Sequence, residues 1–214
     1  MLCLDASAAR YMRRLLICLC LPLLLAACGA EPVWAPDDAV ARARFVSGEP
    51  PSITLFTVVR KNGGEGAHSG LMIDASQRVM FDPAGTWHHP TVPERNDLHY
   101  GITEQMRKFY IDYHARETYD VIEYRLPVSA EIAEMALRRA EAYGAVNKAF
   151  CGNSVSNILH GIPGFETIPK TFFPNKIMHA FAKLPGVTKK VHVDGDPDNN
   201  SGVLLVQRAA PVYP

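Results

Sequence analysis

The sequence has no excess of charge of either sign: 22 lysines and arginines stand against 22 aspartates and glutamates. A nucleic-acid partner leaves a strongly basic footprint, so that class of function is excluded. Long apolar runs are missing too. The longest, Leu15 to Cys28, is interrupted by Pro22 and falls short of the roughly 20 apolar residues that a membrane-spanning helix needs. There is no internal repeat and no second domain boundary, which argues for a single folded unit. The glycine-rich stretch Lys61-Asn62-Gly63-Gly64-Glu65-Gly66 lacks the Lys-Ser/Thr end and the following helix of a phosphate-binding loop. No HExxH spacing occurs, so no pair of histidines is placed on one helical face to hold zinc. Cysteine is scarcest where it would matter most. Beyond Cys28 only Cys151 remains.

What is present begins at the N-terminus. Arg13-Arg14 precedes the apolar run, and small residues close it, the shape of a secretory signal. Met12 gives that signal a better-formed start than Met1. Leu25-Ala26-Ala27-Cys28 resembles a bacterial lipobox, whose cysteine is lipidated and becomes the first mature residue. Residues 1–27 are then a signal peptide, residues 28–52 a lipidated tether with Pro32, Pro36, Pro50 and Pro51, and residues 53–214 one domain. The implied partner is a lipid bilayer, reached through the Cys28 anchor. Gly29 after the cysteine resembles lipoproteins sorted to the outer membrane, facing the periplasm. An ordinary cleaved signal is the alternative. Removal of residues 1–27 takes Cys3, Cys18 and Cys20 with it and lipid occupies Cys28, so Cys151 has no partner for an intramolecular disulfide. In an oxidising compartment an unpaired thiol is a liability unless it is buried or functional.

The domain reads as α+β, an antiparallel sheet packed against helices. A short helix is expected from Asp37. Residues 53–60 (ITLFTVVR) are rich in β-branched and aromatic residues and predict a strand. His68–Asp74 and Arg78–Asp82 predict a hairpin about Ala75-Ser76-Gln77, with Gly70 leaving room for something packed closely against its strand. Residues 83–101 predict a long loop, which in a compact domain is usually functional. Ile102, Met106, Phe109, Tyr110 and Tyr113 share one helical face, with Thr103 or Gly101 at its start. A strand follows at 119–126, and Ser129 caps a helix that runs to Tyr143. A helix is expected over about 174–183, then strands near 187–193 and 203–207.

Cys151 heads its own short helix, with Val155, Ile158 and Leu159 on the buried face and Gly161 placed to end it in a left-handed conformation. A sulfur at that position faces unpaired N–H groups and the positive end of the helix dipole, which favour thiolate. The other reading of Cys151 is a small buried hydrophobe. A thiolate nucleophile needs a base, and the base needs a polar group to orient it. His68 opens one strand of the hairpin and Asp82 closes the other, roughly opposite, where a carboxylate can fix the imidazole tautomer.

His68-Ser69-Gly70-Leu71-Met72-Ile73, then Val79-Met80-Phe81-Asp82, then Cys151 at a helix start, resembles the circularly permuted papain-like fold. The branch it resembles is the NlpC-like one, which includes the lecithin retinol acyltransferase type. The resemblance runs from about Ile53 to Gly161. It implies Cys151 as nucleophile, His68 as base and Asp82 as orienting residue, with no cofactor and no metal. The implied activity is that of a cysteine peptidase, amidase or acyltransferase acting on amide, ester or thioester bonds. Peptidoglycan peptides and lipid acyl groups are the substrates within reach. Two competitors stand beside this reading: a metal site built from His88, His89, His99 and Asp82, and a non-catalytic envelope lipoprotein with Cys151 inert.

Overall fold

The structure, a computed structural model, describes residues 11–14 and 29–209. Cys28, Leu25-Ala26-Ala27 and the apolar run before them lie outside the described residues. The strands are β1 (Ser52–Arg60), β2 (Gly66–Asp74), β3 (Arg78–Phe81), β4 (Glu94–Arg95), β5 (Leu98–Tyr100), β6 (Tyr119–Pro127) and β7 (Thr188–His192). The helices of the domain are α1 (Asp37–Ala43), α2 (Glu104–His114), α3 (Ala130–Glu141), α4 (Cys151–His160), α5 (Pro174–Phe181) and α6 (Ser201–Ala209). The strands form one seven-stranded sheet in the order β4-β5-β3-β2-β1-β6-β7, and every neighbouring pair is antiparallel.

Both faces of the central strands are covered, which is why β1 is buried over seven consecutive residues rather than alternately. One face presents Ile53, Leu55, Leu71, Ile73, Val79 and Phe81 to the apolar sides of α3, α4 and α5. The other presents Phe56, Val58, Met72 and Met80 to Trp87 and to Met106, Tyr110 and Tyr113 of α2. Each large side chain taken fully out of water contributes about 1.5–3 kcal/mol. The helix ends follow from local chemistry. The hydroxyl of Thr103 accepts from the Met106 N–H at 3.2 Å, and that of Ser129 from the Ile132 N–H at 3.3 Å.

Four sequence expectations change. Residues 203–207 are not a strand but part of α6. An unbroken apolar run, Val203-Leu204-Leu205-Val206, carries no period of its own; here Leu204 packs toward the α2 layer and Gln207 is buried, its amide donating to the Phe109 carbonyl at 2.9 Å. Residues 83–101 are not all loop, because β4 and β5 form a hairpin within them. Its two-residue turn, Asn96-Asp97, has φ of 49° and 66°, the left-handed pair of a type I′ turn that Asn and Asp tolerate. The stretch expected as a tether is docked from Val33 onward. Trp34 bridges to Arg95, and the Val33 carbonyl accepts from the Asn96 N–H at 2.9 Å. Finally, α4 does not end in a left-handed residue, since Gly161 has φ −94°. Its smallness instead admits the Arg139 guanidinium, which would lie 2.3 Å from a Cβ there. That guanidinium caps the helix by donating to the Ile158 and Asn157 carbonyls, each at 2.9 Å.

Candidate functional site

β3 ends at Phe81, opposite Leu71, so the first residues of β2 extend past their partner. Ser69 therefore has no β3 residue to claim its N–H, and this N–H lies near enough to the Cys151 sulfur to favour its thiolate. Cys151 reaches that edge because α4 packs its Val155, Ile158 and Leu159 against the β1–β2–β3 face and leaves its first turn at the sheet end. No side chain caps α4, since Phe150 is its N-cap residue. The Gly152 N–H also favours the thiolate. Gly152 is required for its size, because a Cβ there would lie 2.5 Å from the Phe172 carbonyl oxygen.

His68, Gly70 and Met72 alternate onto the α2 side of β2, and Asp82 follows Met80 onto the same side. Directly opposite Asp82 the ladder would place Gly70, which has no side chain, so His68 reaches the carboxylate diagonally. His68 Nε2–H donates to Asp82 Oδ1 at 2.6 Å. The other ring nitrogen, Nδ1, remains for a second partner, and the Cys151 thiol is near enough that each group shifts the titration of the other. The structure thus brings Cys151, His68 and Asp82 into one electrostatically coupled group.

Two residues complete the cluster that sequence reasoning placed only on a buried helix face or left unassigned. The Tyr110 hydroxyl donates to the same Asp82 Oδ1 at 2.9 Å. The ring of His114 stacks on that of His68, with centroids 5.5 Å apart and planes 4° from parallel. His114 Nδ1–H donates to the Tyr110 carbonyl at 2.8 Å, one helical turn back. The i, i+4 spacing of Tyr110 and His114 was the one signal available in the sequence. Nothing local pointed that face at His68. Gly70 is what admits the hydroxyl: a Cβ there would lie 2.2 Å from Tyr110 Oη. Gly70→Ala is accordingly expected to destabilise by about 1–3 kcal/mol through overpacking, read as a lowered midpoint in denaturant. Tyr110→Phe in the same chain should recover part of that loss, and strict additivity of the two changes would show that the contact is not what limits the site.

Electrostatics orders the cluster. Burial opposes the charged form of His68, but the Asp82 carboxylate, by charge and hydrogen bond, and the Cys151 sulfur outweigh it and raise the imidazole well above its usual range. Burial likewise acts to raise Asp82, and His68 by charge and hydrogen bond overrides it, holding the carboxyl far below the usual carboxylate range. For Cys151 burial favours the thiol, while the His68 hydrogen bond and charge and the N–H groups of Ser69 and Gly152 lower its pKa. His114 goes the other way. Burial, with the His68 charge against it, takes it down to about 4, so it is a neutral ring beside a charged one.

His88, His89 and His99 do not join this cluster. His89 is engaged by Thr91 and the Gln207 carbonyl, and His99 packs edge-on to Trp87. The competing metal set is not assembled. A different triad, His68, Asp82 and His114, has ligand atoms within 4.8 Å of one another. There His68 Nε2 and Asp82 Oδ1 already satisfy each other, and a metal would have to break that bond. A cleft of about 730 Å³ runs beside the site, lined by Ala84, Gly85, Asp97 and Val146 among others. Neither Cys151 nor His68 lines it. Asp97 holds its walls together, accepting from the Val146 N–H at 2.7 Å and from Ala84 at 3.3 Å, and burial raises its carboxyl to about 6.

No known protein family, characterised protein or solved structure matches this chain. The site therefore rests on its own geometry.

Proposed function

We propose that this protein is a cell-envelope lipoprotein with a thiol hydrolase or acyltransferase site on a permuted papain-like arrangement. Cys151 is the nucleophile, His68 the acid–base residue and Asp82 the orienting carboxylate. The observation that carries the reading is the His68 Nε2–H on a buried carboxylate at 2.6 Å, with the Cys151 thiol near enough that each shifts the titration of the other. A buried histidine kept only for packing needs neither a carboxylate nor a thiolate.

In this chemistry the Cys151 thiolate adds to an acyl carbonyl, forming a C–S bond and pushing the electron pair onto oxygen. N–H groups at the uncapped start of α4 face that region and stabilise the oxyanion. The His68 imidazolium gives its proton to the leaving amine, alcohol or thiol, and the carbonyl re-forms as a thioester. Water, or another acceptor hydroxyl or amine, then attacks. His68 takes the acceptor's proton, and thiolate leaves. Asp82 keeps the ring in register throughout, and Tyr110 keeps Asp82 in place. The residues call for no cofactor. Lipid on Cys28 anchors the protein in the envelope, most consistently with the outer membrane on the periplasmic side, within reach of peptidoglycan peptides and lipid acyl groups.

The test is direct acylation. Incubation with acyl thioesters, phospholipid vesicles or peptidoglycan fragments should add the acyl mass to Cys151, seen by peptide mass spectrometry after acid quench. His68→Ala should reduce the rate of that addition by at least a hundredfold. Mass addition elsewhere in the chain, or addition indifferent to His68, would overturn the assignment.

A further inference from the structure

Among the described residues, three phenyl rings beside the nucleophile face solvent: Phe150 is 40% exposed, Phe172 50% and Phe173 62%. They are contiguous. Phe150 is the N-cap residue of α4, its ring meets that of Phe172 edge-on at 5.0 Å, and Phe173 follows in the chain. Single exposed apolar residues need no explanation, but a patch of adjoining rings marks a surface made for contact. Lysines border it. The Lys176 ammonium sits over the Phe173 ring at 5.1 Å, and Lys148 lies two residues before Phe150 with its head in solvent. Exposed aromatic rings with lysines around them are the composition of a protein face at a lipid–water boundary.

The beginning of the chain arrives at the same place. Gly29 and Glu31 share the cleft beside the site with Lys148, and the Glu31 carboxylate lies 3.4 Å from the Lys148 ammonium. Val33 then joins the Asn96-Asp97 turn, which is level with Asp82 through the bond from the Asp82 N–H to the Asp97 carbonyl. So the first described residues after Cys28 lie at the end of the sheet that carries Asp82 and His68 and meets Cys151. The opposite end, where Ser76 turns β2 into β3, is about 20 Å away along β2.

We propose that this end of the molecule rests on the bilayer, with Phe150, Phe172 and Phe173 at the boundary between headgroups and acyl chains. The occupant of the aromatic patch is the membrane in which the Cys28 lipid is embedded, and the inference rests on that anchor. Cys151 then meets acyl groups presented from the membrane side.

The experiment uses the full-length lipoprotein in vesicles of phosphatidylethanolamine and phosphatidylglycerol, with and without brominated acyl chains, which quench tryptophan on contact. Phe172→Trp should add emission that falls at least twofold in brominated vesicles. Ser76→Trp, at the far end of the sheet, should add emission that does not fall. Trp34 and Trp87 are common to both variants and are subtracted with the parent protein. Protein that floats with the vesicles but shows equal quenching at the two positions overturns the membrane-facing patch and leaves the anchor standing. Protein that carries no lipid and does not float overturns the anchor, and the proposal with it.

Discussion

Alkylation of Cys151 by iodoacetamide is expected to reach its plateau at a lower pH than a free thiol does, in a chain whose other cysteines are removed or lipidated. Free thiols in water react only as pH approaches about 8.5, because the thiolate is the nucleophile. In this site burial works against the anion. The His68 hydrogen bond and charge and two backbone N–H groups more than offset it, so the Cys151 pKa is lowered. Because His68 is raised while Cys151 is lowered, the pair is thiolate and imidazolium over the window between them. His68→Ala removes the strongest partner favouring the anion and returns the reactive limb toward the free-thiol value. Below the free-thiol value that is a loss of alkylation rate, following the thiolate fraction. A buried, inert cysteine behaves differently. It reacts slowly at every pH until the protein unfolds, and His68→Ala does not change it. Cys151→Ala should keep the fold, since the sulfur leaves only a small cavity, and should abolish acyl transfer.

Asp82→Ala is expected to have the largest effect on stability of any single change at the site. The Asp82 side chain is fully buried and holds both His68 and the Tyr110 hydroxyl. Removing one partner of a buried pair leaves the other without compensation, a loss of about 3–5 kcal/mol. For a domain of this size that is about 10 °C in the melting midpoint. Asp82→Asn, which can still accept from the imidazole, should lose less.

The pH dependence of the unaltered protein carries the same signature. Asp82 has a depressed folded pKa, so its contribution is present above the unfolded value of about 3.9 and is lost as pH falls through the folded one. His68 has a raised folded pKa, so its contribution is complete below about 6.5 and is lost as pH rises through the folded value. The lowered Cys151 works the other way, its contribution growing as pH rises toward the unfolded thiol value of about 8.5 and offsetting the His68 loss over that range. Thermal midpoints measured from pH 3 to pH 10 should therefore decline below about pH 4 and above about pH 8.5. In Asp82→Ala the acid limb should flatten and the alkaline limb should weaken, because His68 has lost the carboxylate that raised it. A profile unchanged by the substitution would show that the pair does not titrate as a unit.

The sequence by itself determined the elements that carry a local signal. The β-branched run at 53–60, the hairpin about Ala75-Ser76-Gln77 and the cap at Ser129 are set by neighbours a few residues away, and each is found in the structure; the helix start left between Gly101 and Thr103 is settled at Thr103. The placing of His68 and Asp82 on one side of that hairpin also follows from period and register alone, since both are properties of adjacent strands. Even the space at Gly70 was legible, though not what fills it.

Tertiary structure decided the rest. That the filler is Tyr110, and that His114 lies flat on His68, depends on α2 crossing the far face of the sheet, a packing that spans some 40 residues of chain and leaves no local trace. The run at 203–206 had no period, so its helical state was settled by the α2 layer against which Leu204 packs. The Asn96-Asp97 turn was readable from its residue types, but its strands are too short to show alternation and exist because β5 pairs with β3. The juxtaposition of Cys151 with Ser69 and His68 comes from β3 ending one step early. That exposes a backbone N–H at a sheet edge and leaves room there for a helix start. Burial in such a place is a property of the whole fold, and it is burial that turns ordinary acids and bases into a coupled set.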